Sequence, residues 1–281
     1  MVKFRSQLTR LRQRWQYGAI ALLMALVLIV GQPIVAQAIS WGDLIFRGIQ
    51  VLQLSNISDR QEVEIGRQIN EQLMSQKIRL YRDPQVNQYV DQIGQRLARQ
   101  SKRPDLPYTF QVVDDRSVNA FATMGGFVYV NTGLLRLAEN EAELASVMAH
   151  EIGHIAGRHA VKQLKETAIA SGLVGAAGLD RNVAARIGVE LAFRRPNSRR
   201  DEYDADLLGL NTLTQAGYAP IAMIDFMQKL LRSSSVPTFL STHPGTNERI
   251  TRLQQALRNE ANNYGDGLDP ALYRARLRSL S

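Results

Sequence analysis

The chain has 281 residues, 45% of them hydrophobic and 21% charged, which allows one substantial core and leaves little room for a second full domain. It contains no cysteine, so disulfide stapling and thiolate metal ligands are both excluded. Of the formal charge of +8, five units sit on Lys3, Arg5, Arg10, Arg12 and Arg14, and the +3 that remains makes no case for a nucleic-acid partner.

Those five cations precede an uncharged apolar run of 14 residues, Gly18 to Gly31, and a small-x-small site at Ala36-Gln37-Ala38. Residues 1–38 therefore read as a secretory signal peptide, because so short a run does not comfortably cross a bilayer as a permanent helix. Stretched through Ile34 and Val35, the same run would serve as an uncleaved membrane anchor. Either form delivers residues 39–281, expected to be a single domain, across the cytoplasmic membrane to the periplasm or cell envelope. From Trp41 to Leu54 a mostly apolar segment has the character of an amphipathic stretch resting on the body or on a membrane surface.

Ser58 with Gln61 forms a capping box, and Val63, Ile65, Ile69 and Leu73 recur at helical spacing up to Gln76. Asp83-Pro84 caps a second helix to Gln100, with Val86, Val90, Ile93 and Leu97 on its apolar face. Tyr108 to Asp114 and Phe127 to Asn131 read as two short strands, with Ser117 to Gly126 between them.

Asn140 then caps a run with Glu141 and Glu143 in its first turn, where the helix dipole favours acids. Leu144, Val147, Met148, Ile152, Ile155 and Ala156 recur at three- and four-residue spacing, and no proline interrupts the text, so one helix is expected from Glu141 to Glu166. Three of the four histidines of the chain lie here. On a helix His150 and His154 stack one turn apart on one face, with Glu151 about a third of a turn away. Two neutral nitrogen ligands and an adjacent carboxylate are what a zinc hydrolase needs to hold a metal and take a proton from water. Gly153 and Gly157 each cost about 1 kcal/mol of helix propensity, so something is expected to pack closely against them.

Ala168 to Leu179 is small, apolar and too short to span a bilayer; a buried hairpin or a surface lid are both open to it. Asn182 to Phe193 reads as a helix, and Arg194 to Asn197 as a loop. A third metal ligand is needed. The metzincin order is excluded, because Ala160 stands where its last histidine belongs and His159 comes one place early. The better candidate is Glu202, on a helix capped by Ser198 and stopped by Gly217, with Asp206 four residues on along the same face. Glu202 would complete a His2Glu site, and Asp206 would accept a hydrogen bond from the far nitrogen of a ligand imidazole. On spacing alone a solvated charge run remains the alternative. A helix from Pro220 to Leu231, a Ser-rich loop, a loop from Phe239 to Pro244 and a polar-faced helix from Asn247 to near Asn259 follow. The tail from Asn262 reads as weakly packed.

Four blocks, in this order and covering about residues 58–258, resemble the M48 zinc metallopeptidases. They are Ser117-Val118-Asn119-Ala120-Phe121-Ala122 with Gly125-Gly126; His150-Glu151-Ile152-Gly153-His154 followed by His159; Glu202-Tyr203-Asp204-Ala205-Asp206; and Ser241-Thr242-His243-Pro244. The family includes CAAX prenyl endopeptidases, HtpX heat-shock proteases, mitochondrial OMA1 and periplasmic BepA-like proteases, and the last three resemble this chain most. The resemblance implies an α+β fold, mainly helical and zincin-like, with a small β-sheet beside the H-E-x-x-H helix. It implies one Zn2+ per chain on His150, His154 and Glu202, Glu151 as catalytic base and Asp206 as the acid behind the ligands. Asn119 and Ala120 match the edge strand that pairs with substrate backbone in such peptidases, an ordinary hairpin connection being the plainer reading. No tetratricopeptide array of the kind many BepA-like relatives carry follows the catalytic blocks.

The expected function is metalloendopeptidase hydrolysis of misfolded or misassembled envelope proteins by metal-activated water. The partners are protein or peptide substrates, with membrane-surface contact and no nucleic acid. His243, and after it Tyr203, are the candidate donors to the oxyanion. His243 could instead fill the fourth zinc position and block the enzyme, or merely cap the helix near Asn247. The alternatives from other classes are an envelope chaperone or assembly adaptor with a rarely used zinc site, and a zinc amidase acting on cell-wall peptides.

Overall fold

Each helix that bears on the site starts where the sequence provides a side chain to accept its orphan N–H groups. In the computed structural model, which describes residues 57–171, 181–194, 198–233, 237–258 and 264–280, Ser58 caps helix α1 (Asp59–Gln76) with Gln61 reaching back to it. Asp83 accepts from the backbone of Gln85 and Val86 at the head of α2 (Pro84–Ala98). The expectations for residues 1–38, for Trp41 to Leu54 and for most of Ala168 to Leu179 lie outside the described residues. Those described all fall within the compact unit Arg47–Ser281.

The sheet has three strands, β1 (Thr109–Val113), β2 (Ala120–Ala122) and β3 (Phe127–Asn131), in the order β1-β3-β2; β1 and β3 were expected from their own pattern, and β2 lies where the resemblance implied an edge strand at Asn119 and Ala120. β2 comes from the Ser117 to Gly126 segment, where Gly125 and Gly126 adopt positive φ (77° and 97°) and let the chain double back. β1 pairs parallel with β3, whereas β2 pairs antiparallel with Ala120 opposite Val130 and Ala122 opposite Val128. The outer edge of β1 is covered by Leu80 and Tyr81. β2 forms the other edge.

Side chains alternate across this sheet with the two-residue period of a pleat. Phe110, Val112, Ala120, Val128 and Val130 face the larger core, built with α2, α4 (Glu141–Ala156), α7 (Arg199–Gln215) and α8 (Ile221–Arg232). Phe121 and Tyr129 face the other way and stack with ring centroids 4.5 Å apart, against Ile65, Ile69 and Leu73 of α1, Val161 and Leu164 of α5 (His159–Ala170) and Ala184 and Ala185 of α6 (Arg181–Arg194). A short α3 (Thr132–Leu137) links β3 to α4.

α4 crosses α7 at glycine contact. A Cβ on Gly153 would lie 2.4 Å from the Ala205 carbonyl oxygen, and one on Gly209 would lie 2.9 Å from that of Ala149. This is the close packing that the propensity cost at Gly153 implied. The expected single helix to Glu166 is in fact two: α4 ends at Ala156, and Arg158 takes a left-handed conformation (φ 55°) before α5 starts at His159. Apolar periodicity continues across the break, so spacing alone could not reveal it.

Two further differences lie near the carboxyl end. Residues 238–242 form a short helix, α9 (Thr238–Thr242), instead of a loop, followed by α10 (Thr246–Arg258). The tail is packed, not loose. Asp269-Pro270 starts α11 (Pro270–Arg276) as Asp83-Pro84 starts α2, Tyr273 is buried with its hydroxyl donating to the Leu135 carbonyl at 2.8 Å, and Arg136 holds the Leu280 carbonyl. Among the described residues no helix is long and apolar enough to cross a membrane.

Candidate metal centre

The crossing of α4 and α7, with the end of α9 laid over it, brings four side chains into one group: His150, His154, Glu202 and His243, all buried, with their ligand atoms within 4.8 Å of one another. His150 and His154 come from successive turns of α4, and their Nε2 atoms are 3.0 Å apart. Glu202, near the amino-terminus of α7, reaches both: Oε2 is 3.4 Å from His150 Nε2 and Oε1 is 3.3 Å from His154 Nε2. His243 Nδ1 lies 3.2 Å from Glu202 Oε1 and 3.2 Å from His150 Nε2.

These separations fit a cation. Ligands about 2.05 Å from a tetrahedral zinc stand roughly 3.3 Å from one another along the edges, and nitrogen plus carboxylate oxygen is a zinc donor set. Burial and the Arg249 charge push the His150 imidazole down, but hydrogen bonds to Asp206 and Glu202 override them and carry it up to about 9. The same carboxylates therefore favour any positive charge at this point, proton or metal. Burial drives His154 down to about 3, which leaves it neutral as a ligand must be. Glu202 stays ionised in spite of its burial, because His243, His150 and His154 all lower it.

Glu151 projects beside the cluster. It is 1% exposed, burial pushes its carboxyl up from the usual range, and its Oε1 has no hydrogen-bond partner, although His243 Nε2 lies 3.4 Å away. With His154, His243, Phe121 and Met124 it lines a cleft beside the cluster.

Asp206 lies behind the ligands, with Oδ1 2.9 Å from His150 Nδ1. Its carboxylate is itself clasped by Arg249, through Nε to Oδ2 and Nη2 to Oδ1, both at 2.7 Å, and burial is outweighed by this partner so that Asp206 stays ionised. Arg249 also reaches Glu202 Oε2 at 2.7 Å and donates to the His243 carbonyl at 3.2 Å. Sequence reasoning placed Arg249 only in a polar-faced helix. One signal was available: it falls on the stripe of Leu253 and Leu257 at four-residue spacing.

The edge strand reaches the site through β2. Asn119 and Thr123 pair inward with β3 (Asn131 N to Asn119 O at 3.0 Å, Thr123 N to Phe127 O at 2.9 Å), so the backbone groups of Ala120 and Ala122 turn away from β3. On that outer side the Val118 carbonyl accepts from Phe239 N, and Thr242 Oγ1 donates to Asn119 Oδ1 at 3.4 Å. These bonds dock α9 on the start of β2 and carry His243 into the cluster, its ring stacked on Phe239 at 4.3 Å. Tyr203 lies elsewhere, under the Arg252 guanidinium at 3.9 Å.

A buried cluster of three histidines and a glutamate on a helical scaffold, beside a buried glutamate with one oxygen free of hydrogen bonds, has the donor set of a zincin-like metal centre. Residues 84–257 match the model of peptidase family M48, and the chain belongs to that family. It is 35% identical over 197 residues to a putative beta-barrel assembly-enhancing protease of Vibrio cholerae, an alignment that covers 63% of this chain and 40% of that protein. To the beta-barrel assembly-enhancing protease of Yersinia pestis it is 32% identical over 268 residues, 86% of this chain and 53% of the other. The mitochondrial metalloendopeptidase OMA1 of Schizosaccharomyces pombe is 29% identical over 176 residues, 60% and 52% of the two chains. The chain spans about half the length of these curated relatives.

Proposed function

We propose that this chain is a zinc-dependent endopeptidase of the cell envelope, acting on misfolded or misassembled proteins. The observation that carries the proposal is the buried Glu151 carboxylate with an unpartnered oxygen at the rim of a cluster of tetrahedral spacing. A metal site with only a structural role has no use for such a group. His150, His154 and Glu202 are the proposed ligands of one Zn2+, and Asp206 orients His150. When bound, zinc acts as a Lewis acid that polarises a carbonyl and lowers the pKa of water. Glu151 removes the proton from the attacking water and returns it to the leaving amine, and a carboxyl raised by burial suits both directions. An extended substrate pairs with β2 through the outward backbone of Ala120 and Ala122, while Asn119 anchors the loop that carries His243.

His243 is proposed as the resting occupant of the fourth position rather than as an oxyanion donor. Its Nδ1 sits among the other ligand atoms, at 3.2 Å from two of them. That closed arrangement also favours a second reading, an envelope chaperone or assembly adaptor whose zinc site rarely cleaves.

The bacterial relatives are named beta-barrel assembly-enhancing proteases, which supports protein substrates, and the amino-terminal pattern supports export to the envelope, with residues 39–281 as a single domain on or near a membrane surface. An intact mass that begins at Ile39 would establish processing after Ala38; a full-length mass with extraction only by detergent would establish the anchored form instead.

The deciding experiment compares the full chain with Glu151→Gln on an unfolded protein substrate, loaded with zinc. Cleavage should fall by about 10²- to 10⁴-fold in the variant, the usual contribution of a general base. Equal rates in the two would reject the catalytic assignment. Absence of cleavage by both the wild-type chain and His243→Ala would favour the adaptor.

A further inference from the structure

The two α4 imidazoles of the cluster are held from behind in different ways. His150 turns its Nδ1 directly to the Asp206 carboxylate. His154 turns its Nδ1 to another imidazole, that of His159, whose Nδ1 lies 2.9 Å away, and the far nitrogen of His159 lies 3.1 Å from Asp204 Oδ2 on α7. The backbone is shaped around this contact. Arg158 adopts the left-handed region, which is unfavourable for a residue with a side chain, and so turns His159 back towards His154. Gly157 leaves room for the ring, since a Cβ there would stand 2.4 Å from His159 Nε2 and 2.8 Å from Asp204 Oδ2.

We infer that His159 and Asp204 are positioning residues that select the tautomer of His154 and so keep its Nε2 lone pair facing the metal. The inference rests on the zinc reading above. Its logic is a count of protons. An ionised carboxylate only accepts, so Asp204 calls for the proton of His159 to sit on Nε2. A neutral imidazole has one N–H, which leaves His159 Nδ1 bare, and a bare acceptor 2.9 Å from His154 Nδ1 calls for the proton of His154 to sit there. His154 Nε2 is then bare towards Glu202 Oε1, 3.3 Å away, a pair of acceptors that a metal bound between them would join. The opposite arrangement would set two acceptors, His159 Nε2 and Asp204 Oδ2, against each other at 3.1 Å. One helix, α7, thus supplies a ligand in Glu202 and orients both histidine ligands, His150 through Asp206 and His154 through Asp204 and His159.

The Asp204 side chain is 54% exposed, so it can be changed without disturbing the core. In the zinc-loaded full chain, ¹⁵N spectra of the histidine rings should show His159 protonated at Nε2 and His154 at Nδ1. Asp204→Asn, whose amide can donate as well as accept, should give mixed tautomers of His159, and Asp204→Glu should keep the single form. Zinc affinity, read by competition with a chromogenic chelator, should fall by roughly 10- to 100-fold in His159→Ala and measurably in Asp204→Asn, the range found when groups behind metal-bound histidines are removed. The Asp204 variants carry the test should His159→Ala fail to fold. Unchanged affinity together with an unchanged His159 tautomer in Asp204→Asn would overturn the inference while leaving the zinc site intact. A wild-type chain that binds no zinc would overturn the zinc reading and this inference with it.

Discussion

Arg249 and Asp206 meet through two parallel hydrogen bonds of 2.7 Å each, both side chains buried, 43 residues apart in the chain. This fork holds the carboxylate that holds His150, and the same guanidinium touches Glu202 and the His243 backbone. Removing it would leave two buried carboxylates short of a cation. Arg249→Ala is expected to destabilise the fold by about 3–5 kcal/mol, the cost of breaking a buried ion pair on one side. Arg249→Lys should recover only part of this, because an ammonium cannot bond both Asp206 oxygens in parallel. Denaturant unfolding of the purified variants measures both, and a loss below 1 kcal/mol in Arg249→Ala would show that the fork has no such structural role.

Metal removal should be visible in stability as well as in metal content. One zinc per chain is expected by elemental analysis, and stripping it with a chelator should lower Tm, since a ligand that binds only the folded state stabilises it by about 4 kcal/mol at a thousand times its Kd. Glu202→Ala should lose most of the bound metal and become insensitive to the chelator. Stoichiometric zinc in that variant would exclude Glu202 as a ligand.

His243 is the residue for which two chemistries predict opposite signs. As the resting occupant of the fourth position it competes with water and substrate, so His243→Ala should raise the peptidase rate on an unfolded substrate, by tenfold for each 1.4 kcal/mol or so that the closed form is favoured. As an oxyanion donor its loss would lower kcat by about 2.7 to 4 kcal/mol. A fall of that size would reject the closed-state assignment.

Gly153→Ala tests the contact between α4 and α7. Helix propensity alone would make alanine about 1 kcal/mol more stable here. The structure puts the added methyl 2.4 Å from the Ala205 carbonyl oxygen, so the helices must separate, and a net loss of about 1–3 kcal/mol is expected with weaker zinc binding alongside it. A raised Tm would refute the close approach.

The local elements of the site were legible in the residues themselves. Ser58, Asp83, Asn140 and Ser198 accept the orphan N–H groups that mark a helix start, and each does so in the structure. His150 and His154 share a face because helical geometry requires it at four-residue spacing. Gly217 ends α7 because its positive φ is open to glycine. Each of these is an interaction within a few residues, and its partners stand next to one another in the text.

Contacts between distant elements were not written there. From its own pattern Ser117 to Gly126 offered no strand, and the one expected at Asn119 and Ala120 came from the family resemblance, because a three-residue strand is specified by its partner β3 and not by its own alternation. The break at Arg158 was hidden because its reason, the meeting of His159 with His154 and Asp204, lies in the packing of α5 against α4 and α7. Arg249 stood only as part of a polar-faced helix until Glu202 and Asp206 closed on it, since a charge is tolerated inside only when its counter-charges arrive with it. The tail likewise acquired its structure from what it covers, with Tyr273 and Leu280 finding Leu135 and Arg136 across more than a hundred intervening residues. The chain alone therefore determined the helix starts and stops and the types of the metal-binding side chains. Tertiary packing decided which buried charges neutralise one another and whether His243 lies in the cluster or outside it, because those energies depend on distances between residues that sequence spacing does not constrain.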